Sequence, residues 1–424
     1  MRFFDHSRFD PLLMGSPLRR TPVALVVAAV LLLMLAVVAL TFLGLFGSLR
    51  PEVTTVFIQA LAMSSLMAMV PLGILWFLDR RERETPWLFL VAFLWGAVMG
   101  TGLALPFNNA ILRRIAAWVQ QNPAIVEILG PQAPLLLGAP IAGPLVEEVT
   151  KGLGLLLFFF FLRAEFDNVR DGFVYGALIG LGFNWFEAPL YIAQAYAEFG
   201  VAAWGIHLGL RYALFGLSGH AMFSGIFGAF LGLALQTRRG WVKVVAPLIG
   251  LALAVAAHAL NNVLPLFFAL RGAAQGEPRA VEEVPAIGLI DAWLGGSILA
   301  LTIFLPFVII MAVLLWRSGV WERRVIREEL AEEIGRTVSP SDYQQILRDS
   351  IFRTRRIDRL RPALSAGIVR AQHELAFRKW RVRNEGKDPE ADPLVAAWRK
   401  KIESLDQLAR RARASSVSSG VGQK

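Results

Sequence analysis

Eight stretches of this 424-residue chain are almost free of charge and long enough to cross a bilayer. They cover about residues 22–49, 53–78, 87–105, 133–162, 173–196, 206–235, 241–269 and 287–316. A hydrocarbon core of ~30 Å needs ~20 helical residues, and each run is near or above that length. No water is present there to satisfy backbone N–H and C=O groups, so each run must be a helix. The expected fold is therefore all-α: a polytopic membrane protein of about eight transmembrane helices. The first run is too long for a signal peptide and reads as a retained anchor. Residues 1–21 are polar and basic. Residues 106–132, with Arg113, Arg114 and Trp118, read as an amphipathic segment at the outer interface.

Loop charges set the expected orientation. Arg2, Arg8, Arg19, Arg20, Arg80, Arg81, Arg83, Arg163, Arg170, Arg238, Arg239 and Lys243 fall on the side of the N-terminus. Only Arg50, Arg113, Arg114, Arg271 and Arg279 fall on the other. The bias predicts a multi-pass protein of the cell membrane with both termini in the cytoplasm. From Arg317 onward, 24 Lys/Arg stand against 15 Asp/Glu, so +9 of the chain's +10 sits in the tail. Beside a membrane, such a tail points to anionic lipid rather than nucleic acid. Residues 317–424 read as a small cytoplasmic helical bundle. Glu322–Gly335 is a helix rich in i,i+4 ion pairs, and Ser339-Pro340-Ser341-Asp342 is a helix start. Ile346, Ile351, Ile357, Leu360, Leu394, Trp398, Ile402 and Leu405 supply its core. The last ten residues read as unstructured. Residues 22–132 are then three N-terminal spans with the outer segment, 133–269 a four-helix core, and 270–316 an outer loop with the last span. The chain has no cysteine, which removes disulfides, thiolate metal sites and cysteine nucleophiles.

The core runs carry groups that do not belong in hydrocarbon. Glu147, Glu148 and Lys151 lie inside the run 133–162, where each charge costs at least a few kcal/mol and marks function by default. Glu147 and Lys151 share a helix face, while Glu148 points about 100° away. Counted from the cytoplasmic ends of their runs, Glu147 is 15 residues in, Glu187 14, His220 15 and His258 17. Four helices thus place Glu, Glu, His and His at one depth, ~21–26 Å up. Phe183 and Asn184 stack near Glu187, and Asn261 and Asn262 follow His258 at i+3 and i+4. Gly172, Gly176 and Gly180 give a smooth face for close helix contact.

Carboxylates, imidazoles and an amide suit water activation: a buried glutamate as general base, His and Asn as oxyanion donors. That set hydrolyses a peptide bond without a covalent intermediate. Whether Glu147 or Glu148 faces the water is open at this level. A metal bound by Glu147, Glu187, His220 and His258 is an alternative. Gly216-Leu217-Ser218-Gly219 with His258 offers a rhomboid-like serine plan, and the same glutamates would serve a proton- or cation-coupled transporter. No His-Glu-x-x-His helix is present.

In order along the chain, Glu147-Glu148-x-x-Lys151, Phe183-x-x-x-Glu187, His220 and His258-x-x-x-Asn262 resemble the motifs of the PrsW family of glutamic-type intramembrane proteases, relatives of the CAAX-prenyl and bacteriocin-processing enzymes. The stretch Asp167–Gly176 running into Gly180–Phe183 is similar to the family's signature. The resemblance covers about 133–269. It implies that Glu147 activates water with help from Glu187, and that His258 and Asn262 hold the oxyanion. It gives Glu148, Lys151, Phe183 and Asn184 supporting places and puts His220 in the lining. It also implies membrane-protein substrates such as anti-sigma factors. This chain has Asn262 where the family often has Asp, and Ala188-Pro189 after Glu187.

Overall fold

The apolar runs form helices. α1 spans Thr21–Gly47, α2 Pro51–Leu78 and α3 Pro86–Gln120. α4 is Pro123–Leu129 and α5 Ala133–Phe161. Then come α6 (Val169–Phe199), α7 (His220–Gln236), α8 (Gly240–Ala274), α9 (Leu289–Thr302) and α10 (Leu305–Ala331). α11 (Pro340–Leu347), α12 (Pro362–Asn384) and α13 (Pro393–Gly420) follow. This computed structural model describes residues 16–80, 86–162, 166–275, 287–350, 357 and 362–420, and among them no strand forms. Arg2, Arg8, Arg81, Arg83, Arg163, Arg279, Ile351 and Leu360 lie outside the described residues.

Among the described residues, six segments are long and apolar enough to cross a membrane: α1, α2, α3, Leu214–Gln236, α8 and α10. α4 and α5, bent by 92° where they meet, make a seventh if taken together. The eighth expected run is α6, 31 residues long but outside that set. Its residues 169–184 are all buried among neighbouring helices, so α6 need not be apolar enough for lipid.

Three expectations change. The third helix does not end at Leu105: α3 continues through Pro106 to Gln120, so residues 106–120 are part of the same helix as the third apolar run. The run 287–316 is split between α9 and the first part of α10, with a break at Ile303 and Phe304. The run 206–235 is not one helix. A π turn at Gly205–Leu210 and a 3₁₀ turn at Leu214–Gly216 precede α7, and Leu214, Phe215, Gly216 and Gly219 all have positive φ. Non-helical backbone at membrane depth is tolerated only where protein or a cavity surrounds it.

The glycine row works as expected. A Cβ on Gly172, Gly176 or Gly180 would lie 2.0–2.2 Å from the carbonyl oxygens of Gly228, Ser224 and His220 on α7. The backbones of α6 and α7 touch along three turns. Without a hydrophobic driving force between helices in lipid, this close van der Waals contact is what holds them.

Two compact units are present: Met1–Phe77 with Thr85–Leu314, and Leu78–Glu84 with Leu315–Lys424. The second has its own core of Val325, Leu330, Ile346, Leu375, Phe377 and Ile402, flanked by Trp321, Trp380 and Trp398. Ser339 caps α11, accepting from the Asp342 N–H at 3.1 Å. The acidic residues near the end of α10 do not pair at i,i+4. They reach across to α12 and α13, because that helix face is buried there: Glu333 meets Lys379 and Arg399, and Glu329 meets Arg383. α13 also continues to Gly420, through residues expected to be unstructured.

Candidate active site

Glu147, Glu148 and Lys151 are buried on α5, at 4%, 2% and 0% exposure. Lys151 does not turn to Glu147. Its Nζ donates to Glu148 Oε1 at 2.5 Å, the i+3 neighbour, and to His220 Nδ1 at 3.0 Å. Nζ also lies 4.7 Å from the centre of the Phe183 ring, a favourable cation–π placement. Glu148 is engaged at both oxygens. Oε1 also faces His258 Nδ1 at 2.9 Å, and Oε2 accepts from Ser224 Oγ at 3.2 Å.

Glu147 is placed differently. Its Oε1 accepts from Asn108 Nδ2 at 2.9 Å. Its Oε2 is buried with no hydrogen-bond partner and lies 3.9 Å from His258 Nε2. Asn108 sits on α3, in the stretch the sequence reading placed at the interface, and so was missed. The signal was there: two adjacent asparagines, Asn108 and Asn109, interrupt an apolar stretch just after Pro106.

The two histidines are fixed by their partners. Facing a carboxylate, His258 Nδ1 carries the proton, which leaves Nε2 as acceptor. Asn262 Nδ2 approaches that Nε2 at 3.3 Å and donates to the Ala139 carbonyl at 3.1 Å. Asn262 Oδ1 accepts from Asn261 at 3.1 Å, and Asn261 itself is exposed. His220 accepts from Lys151 at Nδ1, so its Nε2 donates to Glu187 Oε2 at 2.9 Å. The His220 ring packs on Phe183 at 5.0 Å and edge-on to His258 at 4.9 Å.

Glu187 on α6 also accepts from Arg211. Arg211 comes from the broken segment before α7, its guanidinium 5.0 Å from the Tyr191 ring. Asn184 donates to the Arg211 carbonyl at 3.4 Å and so ties this segment to α6. The break lets one short segment deliver Arg211 sideways and start α7 at His220, so the positive end of the α7 dipole lies beside two carboxylates. Ser218 donates to the Ala213 carbonyl at 2.8 Å, while His258 is occupied by Glu148 and Asn262. The serine–histidine pair of a rhomboid-like plan is therefore not made.

Gly143 completes the site. A Cβ there would stand 3.0 Å from Asn262 Nδ2, 3.3 Å from Glu147 Oε1 and 3.6 Å from His258 Nε2. The three polar groups converge on a space that the missing side chain leaves. The cluster holds three carboxyl groups (Glu147, Glu148, Glu187) and two cations (Lys151, Arg211), and Glu147 is the one with no cation within hydrogen-bond reach. Glu147, His220 and His258 each offer a ligand atom within 4.8 Å of the others. That donor set suits a tetrahedral zinc site with an open position. Glu147 Oε2 and His258 Nε2 have lone pairs available, whereas His220 would have to release Lys151 or Glu187. Glu187 is not in the group, being held by Arg211 and His220.

The sequence matches the family described as PrsW family intramembrane metalloprotease over residues 84–290. A protein named Protease PrsW from Geobacillus kaustophilus is 35% identical over 112 residues, 25% of this chain and 45% of that relative. One of the same name from Halalkalibacterium halodurans is 31% identical over 136 residues, 31% of this chain and 56% of its own. The chain thus spans about half the length of the curated relatives it matches. No solved structure matches it. The match to the PrsW family runs over residues 84–290, which hold every residue of the polar cluster.

Proposed function

We propose that the membrane unit is an intramembrane peptidase that hydrolyses a peptide bond of a membrane-protein substrate. The observation that carries this reading is the free oxygen of Glu147. In a buried network where Glu148 is engaged at both oxygens, Glu147 keeps a buried carboxylate oxygen, Oε2, without a partner, beside His258 and Asn262. Glu147 is the group that takes a proton from attacking water. Asn108 orients it through Oε1. Glu148 holds the His258 ring and fixes its tautomer, and Lys151 neutralises Glu148. The Asn262 amide, a few ångströms away, turns from the Ala139 carbonyl to the developing oxyanion. Glu147 then returns that proton to the departing amine nitrogen as the C–N bond breaks, and His258, with Nε2 as acceptor, takes a hydrogen bond from the attacking water. Glu187, Arg211 and His220 form the far wall.

A metal-assisted form of the same reaction is favoured by the donor set of Glu147, His220 and His258 and by the family's description. Glu147, His258 and His220 would hold the ion, which when bound supplies Lewis-acid polarisation and a more acidic water. The residue roles around Asn108, Glu148 and Asn262 are the same in both forms. The loop charges favour the cell membrane with both termini cytoplasmic, and the resemblance favours anti-sigma-type substrates cut in the outer half of the bilayer. The basic tail suits anionic lipid.

The test is purified chain in proteoliposomes with a transmembrane peptide, products read by mass spectrometry, with metal analysis and a chelator arm. Cleavage supports the peptidase; its absence together with pH-dependent ion flux replaces it with the transporter. Bound metal and chelator-sensitive cleavage select the metal-assisted form.

A further inference from the structure

A cleft of about 630 Å³ opens between α1, α3 and α5. Met34 lines it from α1, Phe107 and Ile111 from α3, and Leu145 and Val149 from α5. Its inner wall touches the candidate active site. Val146, the residue before Glu147, lines the cleft, and so does Phe107, the residue before Asn108. Behind them the Asn108–Glu147 hydrogen bond of 2.9 Å spans the seam between α3 and α5. Both ends of that bond leave a buried atom unpartnered: Asn108 Oδ1 and Glu147 Oε2.

The α1 wall is lightly held. Of its 27 residues only Val38 is buried, seated against Gly102 of α3, where a Cβ would lie 2.7 Å from a Val38 methyl. Two other flanks of the cluster are closed, since α6 and α7 touch backbone to backbone and Gly250 of α8 seats against Phe230 of α7.

Resting on the peptidase reading, we propose that this cleft receives one apolar transmembrane segment of the substrate. α1 acts as a movable wall, and Asn108 presents the segment's peptide bond to Glu147. The cleft is continuous with the site: it is apolar along α3 from Leu103 to Ile111, and its floor is one residue from the reactive carboxylate. A helix in the bilayer has its N–H groups paired internally, and cutting it frees some of them. A freed N–H without a partner costs several kcal/mol in that medium. The unpartnered Asn108 Oδ1 is an acceptor waiting at the point where such an N–H would arrive. Asn108 thus touches both substrate and Glu147. A lipid chain is the competing occupant.

The test uses the full chain in proteoliposomes and a synthetic transmembrane peptide with a photoreactive leucine at its centre. Adducts are mapped by mass spectrometry on wild type and on Glu147→Gln, so that labelling is read without turnover. Labelling of Phe107, Ile111, Leu145 and Val149 is expected to exceed that of Leu248 and Ile298, apolar residues exposed on α8 and α9. The expected excess is about tenfold, a preference of about 1.4 kcal/mol. Ala110→Trp or Leu145→Trp, either of which fills the cleft, is expected to remove the excess and spare Leu248. Equal labelling everywhere, indifference to both tryptophan variants, or a photoreactive phospholipid that the peptide does not displace would overturn the proposal. Cleft labelling without cleavage by wild type keeps the docking and removes the peptidase reading. Cleavage with labelling only elsewhere does the reverse.

Discussion

Two charge networks of this chain close differently. In the tail, Glu329, Glu332, Glu333 and Glu390 face Arg336, Lys379, Arg383 and Arg399, four carboxylates against four cations. Glu333 alone takes Lys379 at 2.9 Å and Arg399 at 2.7 Å. In the membrane unit three carboxylates face two cations, and one carboxylate oxygen has no partner. A network that serves only structure can satisfy all its members, and burial penalises it if it does not. A network that keeps one buried group open retains it against that penalty, and the open group is where chemistry is expected.

The comparison can be broken or sharpened by substitution. His258→Ala removes the acceptor beside Glu147, and cleavage of the transmembrane peptide is expected to fall about 10²–10⁴-fold. Lys151→Met leaves Glu148 and His220 without their buried cation. A loss of about 3–5 kcal/mol is expected, read as thermal unfolding in detergent, because breaking one half of a buried pair strands the other. Glu333→Gln withdraws a shared carboxylate from Lys379 and Arg399. The tail is expected to lose about 2 kcal/mol, while cleavage per folded molecule stays unchanged. A cleavage loss as large as that of His258→Ala would erase the distinction between the networks.

The smallest effect is a pH dependence of the tail. Burial works to raise the Glu333 pKa, but hydrogen bonds from Arg399 and Lys379 prevail and hold it below the usual carboxylate range. Hydrogen bonds from Arg399, then Arg336, bring Glu390 from 4.5 down to about 2. Both folded values lie below the unfolded ones. Their stabilisation is complete above the unfolded pKa and fades as pH falls through the folded one. The contribution of Glu333 and Glu390 to tail stability is expected to be level from neutral pH to about 5 and to fade steadily between about 4.5 and 2.

Much of the site was legible because helices convert sequence distance into depth. Glu147, Glu187, His220 and His258 were placed at one level by counting from helix ends, and they converge. The count for His220 survived the break before α7 because it ran only through α7 itself. Asn108 was lost because Pro106 read as an end, whereas neighbouring helices let α3 pass through it. Lys151 was assigned to Glu147 by i,i+4 stacking. The i+3 neighbour Glu148 won, since it also meets His258 and Ser224 and needs the charge more. The break at 205–219 carries no hydropathy signal, because its residues stay largely apolar while the backbone turns. The tail's pairs are far apart in sequence, and helix periodicity cannot name partners across a fold.

The central claim is that Glu147, and not its neighbour, is the reactive carboxylate. The direct measurement is the initial rate of peptide cleavage in proteoliposomes by wild type, Glu147→Gln and Glu148→Gln, each with its unfolding temperature. Glu147→Gln is expected to lose cleavage by about 10²–10⁴-fold with its unfolding temperature little changed, since only the Asn108 contact is altered. Glu148→Gln is expected to lower the unfolding temperature clearly, because Lys151 and His258 lose their shared anion. A Glu147→Gln chain that still cleaves at the wild-type rate would contradict the account.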